Sequence, residues 1–400
     1  MKSLNELYRI GPGPSSSHTL GPQRASKLFK ETFANASYYE AELYGSLSLT
    51  GKGHLTDYII NETMKPKECH VYFKAKSDLP HPNTMKLLAF DEQNKQMGEW
   101  IVYSVGGGAI EIEGKSSGEG KDVYPHHTLH DILDYCTQKH MELWEYVDHF
   151  DPLEEYLSEI METMLHTVEG GLAKSGELPG SLHLPRVAKD LKQRADECND
   201  PMEKQRLLLS AYAYSASEEN ASGNTTVTAP TLGSSGILPA LITYYYKDLG
   251  YSPVCIRNGL KVAGLFGNLI KENATISGAQ GGCQAEIGAA VAMGAAMVAY
   301  FKGYHAPQIE YAAEIGIEHH LGLTCDPVGG YVMIPCIERN AVGVLRALDA
   351  AYLAQPLGEV RGHKVSFDMV VHTMNYTGKK IARELRETSL GGLATIVPNE

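Results

Sequence analysis

Three thiols, two histidines and several hydroxyl-rich loops are the residues of this 400-residue sequence best suited to chemistry. Cys283 stands in Ser277-Gly278-Ala279-Gln280-Gly281-Gly282-Cys283-Gln284-Ala285-Glu286. Cys325 stands in Leu323-Thr324-Cys325-Asp326-Pro327, and Cys336 in Pro335-Cys336-Ile337-Glu338-Arg339-Asn340. Each has Gly, Pro or a small polar residue beside it near an expected helix start, where the helix end favours thiolate, the form that binds metal. Thiolates select Zn, Cu(I) or iron–sulfur. Three without a fourth suits a catalytic site, which keeps one position open for a substrate oxygen. The spacing 283…325…336 contains no close cysteine pair, so plain burial of free thiols is the competing reading. Cys69, Cys136, Cys198 and Cys255 stand in strand or helix contexts and read as packing residues.

Hydroxyls and glycines crowd three further stretches. Gly13-Pro14-Ser15-Ser16-Ser17-His18-Thr19 precedes a helix and suits an anion, with His18 as cation, donor or base. His54 lies in Thr50-Gly51-Lys52-Gly53-His54, a Gly-rich turn at the end of an expected strand, where α/β sites usually form. Residues 218–236 carry small hydroxyl residues and glycines before another helix, which suits a carboxylate or phosphate, though by themselves they read first as an ordinary capped turn. A structural role is the alternative for either histidine, since the chain has 16.

The elements that must position these residues fall into two units. Up to residue 150 the pattern is mixed: alternation over 40–49 and the run 69–73 predict strands, and 87–91 with 100–105 predicts a hairpin. Helical spacing marks 22–33 and 127–146. From 151 onward helices dominate: 152–170, 200–219, 237–249, 258–272, 284–302, 306–319, 338–354 and 366–386. The expected fold class is α+β, a mixed α/β domain over 1–150 and a mainly α-helical domain over 151–400.

The charge balance of 35 basic against 48 acidic residues, a net −13, argues against nucleic acid and anionic membrane as partners. The apolar run 287–301 is short of the roughly 20 residues a membrane span needs, and reads as a buried helix. No apolar stretch follows Lys2, so a cytoplasmic protein with reduced thiols is expected. A homodimer is the default for an enzyme of this size.

Taken together, these motifs resemble the iron–sulfur L-serine dehydratases (L-serine ammonia-lyases) in their single-chain form. The likeness runs through Tyr44-Gly45-Ser46-Leu47, Ser104-Val105-Gly106-Gly107-Gly108, Glu218-Glu219-Asn220-Ala221 and Ala229-Pro230-Thr231 to Arg386-Glu387-Thr388-Ser389-Leu390-Gly391-Gly392. The resemblance implies a [4Fe-4S] cluster on Cys283, Cys325 and Cys336, no pyridoxal phosphate, and conversion of L-serine to pyruvate and ammonia. On this reading the open iron polarises the serine hydroxyl. His54 is the base for the Cα proton, with His18 as second candidate or carboxylate ligand. Ser15, Ser16, Ser17 and Thr19 hold the carboxylate. Lys271, Asn273 and Ser277 serve the site from before the first cysteine, and Arg386 and Thr388 line it.

Three positions depart from the family pattern: Leu232 where relatives carry Asn or Cys, Gln280 where they carry Glu, and Ala285 where Gly is common. Several relatives also end in a cysteine. This sequence ends Thr395-Ile396-Val397-Pro398-Asn399-Glu400, so water or substrate is expected on the fourth iron. A degenerate relative that senses serine, iron or oxygen, and a lyase for another β-substituted amino acid, are the competing functions.

Overall fold

The computed structural model describes residues 1–75, 79–115 and 120–396; the end of the chain discussed above, from Val397 on, lies outside them. Ile10–Pro12 (β1) leads to one π-helical turn, Ser16–Leu20, which runs into Gly21–Thr32 (α1). Ser15 enters this turn extended, its hydroxyl accepting from the His18 N–H. Pro22 sits in the first turn of α1, where no amide hydrogen is needed.

Tyr38–Leu43 (β2) alternates as a half-buried strand must, with Tyr39, Ala41 and Leu43 inward. The strand expected to run on to residue 49 stops there. Gly45 turns the chain at φ 57°, and Ser46–Thr50 (α2) is helical, burying Ser46, Leu47 and Thr50. A Cβ at position 45 would lie 2.2 Å from the Pro82 carbonyl oxygen, so glycine alone makes this corner. Thr56–Met64 (α3), Cys69–Phe73 (β3), Thr84–Phe90 (β4), Gln96–Gly106 (β5) and Ala109–Ile112 (β6) complete the unit. The sheet order is β3-β2-β4-β5-β6, parallel between β2 and β3 and antiparallel elsewhere. Phe29 of α1 seals its apolar face, meeting Trp100 edge-on at 5.2 Å.

The rest is helical: Leu129–Lys139 (α4), Leu143–Phe150 (α5), Glu154–Leu172 (α6), Ala188–Glu197 (α7) and Pro201–Ala221 (α8). After the short strand Thr225–Val227 (β7) come Ile237–Thr243 (α9), Pro253–Asn273 (α10), Gly278–Gly281 (α11) and Ile287–Phe301 (α12). Ala306–Glu318 (α13), Cys336–Val360 (α14), Phe367–Lys380 (α15) and Leu393–Ile396 (α16) close the described chain. The helix expected over 127–146 is two helices. His140 takes a left-handed conformation, and Glu142 with Glu145 forms a capping box that starts the second. The apolar α12 is enclosed by α10, α13 and α14, with all but one of its residues buried.

Two large apolar cores result, beside a small cluster of Leu178, Ala221, Met333 and Ile337. One lies between the sheet and α1; the other fills the helical unit. The helical core also takes in Met1, Leu4, Leu7 and Tyr8 from the N-terminus, and Leu129, Ile132, Leu143 and Tyr146 from the stretch before residue 150. The chain therefore starts inside the helical unit and leaves it through β1, which pairs antiparallel with β7 (Gly11 opposite Thr226). That pairing brings residues 13–19 to the junction of the two units.

Candidate active site

Cys283 begins a 3₁₀ turn just before α12, Cys325 lies in an extended segment, and Cys336 is the first residue of α14. All three are buried. They line one small, tightly filled cavity of about 10 Å³, together with Ser15, His54, Gly233, Glu286, Pro327 and Glu387. Residues from three distant parts of the sequence thus converge on the junction of the two units.

The cavity has a polar, carboxyl-rich wall. Glu286 Oε2 is 4.0 Å from both Cys283 Sγ and Cys325 Sγ, and its Oε1 accepts from the Thr231 hydroxyl at 2.8 Å. Cys283, Glu286 and Cys325 thereby form a group able to hold a metal, their ligand atoms within 4.8 Å of one another. The bond shared with Cys325 draws the Cys283 thiol below its ordinary pKa, aided by the nearby Arg339 guanidinium; the same bond and burial push Cys325 up. Burial raises Cys336, Glu286 and Glu387 as well.

Opposite the thiols stand the histidines. His18 and His54 are fully buried, with ring centroids 4.4 Å apart. His18 Nε2 is 3.0 Å from the hydroxyls of both Ser46 and Thr50, and Nδ1 is 3.4 Å from Glu387 Oε1. Burial lowers the His18 pKa to about 4; burial and the adjacent His18 lower His54 further below its ordinary value. Both rings are neutral at neutral pH.

The loop ahead of His18 is clamped from the helical unit. Asn220, buried at the end of α8, donates to the Pro14 carbonyl at 2.8 Å. Its neighbour Glu219 accepts from Lys174, Arg186 and Asn224, a paired charge cluster that fixes the end of α8. Arg386 bridges to Cys325: the Cys325 amide donates to the Leu385 carbonyl and the Glu387 amide to the Cys325 carbonyl, at 2.8 and 2.6 Å. Glu387 holds a left-handed φ of 56°, a conformation a non-glycine residue keeps only when its surroundings impose it.

Comparison with known proteins bears on this arrangement. Residues 91–394 match the model of the family described as serine dehydratase alpha chain, and residues 3–71 that of serine dehydratase beta chain. The chain is 36% identical to an L-serine dehydratase of Haemophilus influenzae, over 98% of this chain and 99% of that one. It is 37% identical to L-serine dehydratase 1 of Escherichia coli, over 98% and 99%. It is 36% identical to an L-serine dehydratase of Streptomyces coelicolor, over 98% of both chains. This chain belongs to the serine dehydratase family.

Against that family's motifs, the structure gathers some predicted residues and separates others. Ser15, His54 and the three cysteines share the cavity, and His18 lies directly behind His54. Ser16 and Ser17 are buried in the same turn. Thr19 is committed elsewhere: its hydroxyl donates to the His54 carbonyl at 2.8 Å and accepts from the Ser15 amide at 3.2 Å, so it joins the two loops. Ser277 is buried beside Gly106, its hydroxyl without a partner. Lys271 donates to the Glu6 carbonyl at 3.3 Å, toward the N-terminal segment. Asn273 is exposed and donates to the His127 and Leu269 carbonyls at 2.8 and 3.0 Å. Neither lines the thiol cavity.

Arg386 and Thr388 open instead onto a neighbouring cleft of about 570 Å³, with Ser46, His81, Gln280 and Arg383. Ser46 is the contact between the two spaces, since its hydroxyl also meets His18. Gln280 faces His81 there at 2.9 Å. Leu232 is fully buried. A larger cavity, about 910 Å³ along α13 and α14, has no cysteine in its lining and lies apart from these residues. Glu286 and Glu387 were not among the residues singled out from the sequence. Glu286 was signalled only by its i+3 spacing from Cys283, and Glu387 by its place between Arg386 and Thr388.

Proposed function

We propose that this chain is a lyase that eliminates water from L-serine, giving aminoacrylate and then pyruvate and ammonia. It would do so with a [4Fe-4S] cluster on Cys283, Cys325 and Cys336 and without pyridoxal phosphate. One observation carries the reading: three buried thiols, a buried histidine and Ser15 line one small cavity. The names of full-length relatives agree with it.

The residues fit such a group. The donors are soft thiols, as iron–sulfur requires. Two glycines keep the floor open: a Cβ at Gly278 would lie 2.7 Å from Glu286 Oε2 and 3.4 Å from Cys325 Sγ, and one at Gly233 would lie 2.9 Å from Glu286 Oε1. When bound, a cluster with one iron free of protein thiolate supplies a Lewis acid for the serine hydroxyl, a poor leaving group by itself.

The chain does the rest. The Ser15, Ser16 and Ser17 hydroxyls receive the carboxylate at the turn before α1. His54, neutral through burial, takes the Cα proton. Electrons of the broken C–H bond form the Cα–Cβ double bond as the Cβ–O bond breaks. Glu387, kept protonated by burial and by the neighbouring Glu286, supplies the proton that turns the departing hydroxide into water. Small polar and apolar walls exclude bulk water from the cavity. A homodimer in the cytoplasm completes the reading, and sedimentation velocity tests the former.

His54→Ala tests the assignment. The purified variant keeps the cluster's colour and loses kcat by about 10²–10⁴-fold, the usual worth of a positioned base. A variant with the parent's rate overturns it.

A further inference from the structure

Two buried histidines share one hydroxyl. Thr50 Oγ1 is 3.0 Å from His18 Nε2 and 3.1 Å from His54 Nδ1. Oγ1 also lies 3.0 Å from the Ser46 carbonyl, one turn back along α2; a carbonyl can only accept, and we assign the single hydroxyl hydrogen to it. Only lone pairs remain for the rings, so both ring nitrogens that face Thr50 carry hydrogen. Ser46 imposes the same on His18. Its hydroxyl donates to the Glu387 carbonyl and so presents a lone pair to His18 Nε2 at 3.0 Å. A neutral imidazole has one hydrogen. His54 is therefore protonated at Nδ1 and bare at Nε2. His18 is protonated at Nε2 and bare at Nδ1, which lies 3.4 Å from Glu387 Oε1 and 3.5 Å from Ser15 Oγ.

We infer that Thr50 is a positioning residue that fixes the tautomers of both histidines, so that His54 meets the substrate with an unprotonated Nε2. The inference rests on the reading of His54 as the base. Its origin is local structure. The one-turn helix α2, started by the corner at Gly45, holds the Thr50 rotor on the i−4 carbonyl and thereby makes the hydroxyl an acceptor toward the rings. When Nε2 takes the Cα proton, His54 becomes an imidazolium with two N–H groups. The Nδ1–H bond to Thr50 then strengthens, as a charge-assisted bond does. Without that hydroxyl only the Thr50 backbone carbonyl still favours hydrogen on Nδ1, and the ring more readily places its one hydrogen on Nε2, where the lone pair is needed.

The test compares Thr50→Val, Thr50→Ser and His54→Ala as holoenzymes of equal iron content. It measures kcat, KM and the deuterium isotope effect on kcat with Cα-deuterated L-serine. Valine keeps the shape and removes the acceptor. Thr50→Val is expected to lose about 10²-fold in kcat with KM changed less than about threefold, a smaller loss than the ≈ 10⁴ seen when a triad histidine is held in the wrong tautomer. Its isotope effect rises above the parent's, because proton abstraction has become the slow step. Thr50→Ser restores rate and isotope effect. A merely structural role would lower the active fraction and leave the isotope effect unmoved. Thr50→Val at the parent's rate, or a slow Thr50→Val with the parent's isotope effect and no rescue by serine, overturns the inference while His54→Ala stays inactive. An active His54→Ala overturns the base reading itself, and the inference with it.

Discussion

Gly13→Ala probes how tightly the turn proposed to bind substrate is held. A Cβ at position 13 would lie 2.1 Å from the Asn220 backbone oxygen, 2.5 Å from its side-chain oxygen and 2.8 Å from its carbonyl carbon. Ordinary contacts begin above 3 Å, so one partner must retreat by about 1 Å. Asn220 is buried at the end of α8 behind the Glu219 ion pairs, while residues 13–15 are a loop that leads into the one-turn π-helix carrying His18. The loop is what moves, and Ser15 and His18 move with it. A misplacement of about 1 Å costs on the order of 10² in rate. Gly13 is not a wall of the thiol cavity, so iron content and absorbance should match the parent. The assay is steady-state pyruvate release from L-serine, with iron per chain measured on the same sample. Asn220→Ala should not rescue the variant, because the nearest clash is with backbone. A folded Gly13→Ala with the parent's kcat and KM refutes the argument that this clamp sets the site's geometry.

The remaining predictions concern the cavity floor and pH. Gly278→Ala puts a methyl group against Glu286 and Cys325, and should bind less iron per chain while keeping its helical circular dichroism; a full iron complement would show that the floor does not need to be open. His18 has a native pKa of about 4, below its ordinary 6.5, so as pH falls the unfolded chain binds that proton first. The stability it contributes is complete above pH 6.5 and is lost down to about pH 4, roughly 3 kcal/mol for this one buried group. The stability gap between parent and His18→Gln should shrink by that order across the window, read from melting curves; a gap that stays constant with pH would contradict the assignment of His18 as a buried neutral ring.

Much of the site was legible because its chemistry sits in short motifs whose residue types are unusual together. The three thiols, Ser15, His18 and His54 announced themselves in this way. Direction was not legible. Lys271 and Asn273 lie within about three turns of Cys283 in sequence, yet the last turn of α10 aims them at the N-terminal segment and the His127 carbonyl. Thr19 looked like a substrate hydroxyl and is a tie between two loops. The alternation of residues 40–49 predicted one long strand, because period-2 spacing cannot register a corner; Gly45 makes that corner and turns the second half into α2, which carries Thr50 to the histidines. Likewise, no local pattern tells that Met1, Leu4, Leu7 and Tyr8 are buried in a helical core assembled more than a hundred residues later.

The central claim is that three thiols hold an iron–sulfur cluster that dehydrates serine. Anaerobic purification, an absorbance spectrum and pyruvate release from L-serine before and after exposure to air test it most directly. The account predicts a brown protein with broad absorbance near about 400 nm, as thiolate-ligated iron–sulfur chemistry implies, whose activity is lost in air. A colourless protein that still releases pyruvate at an unchanged rate after air would contradict it.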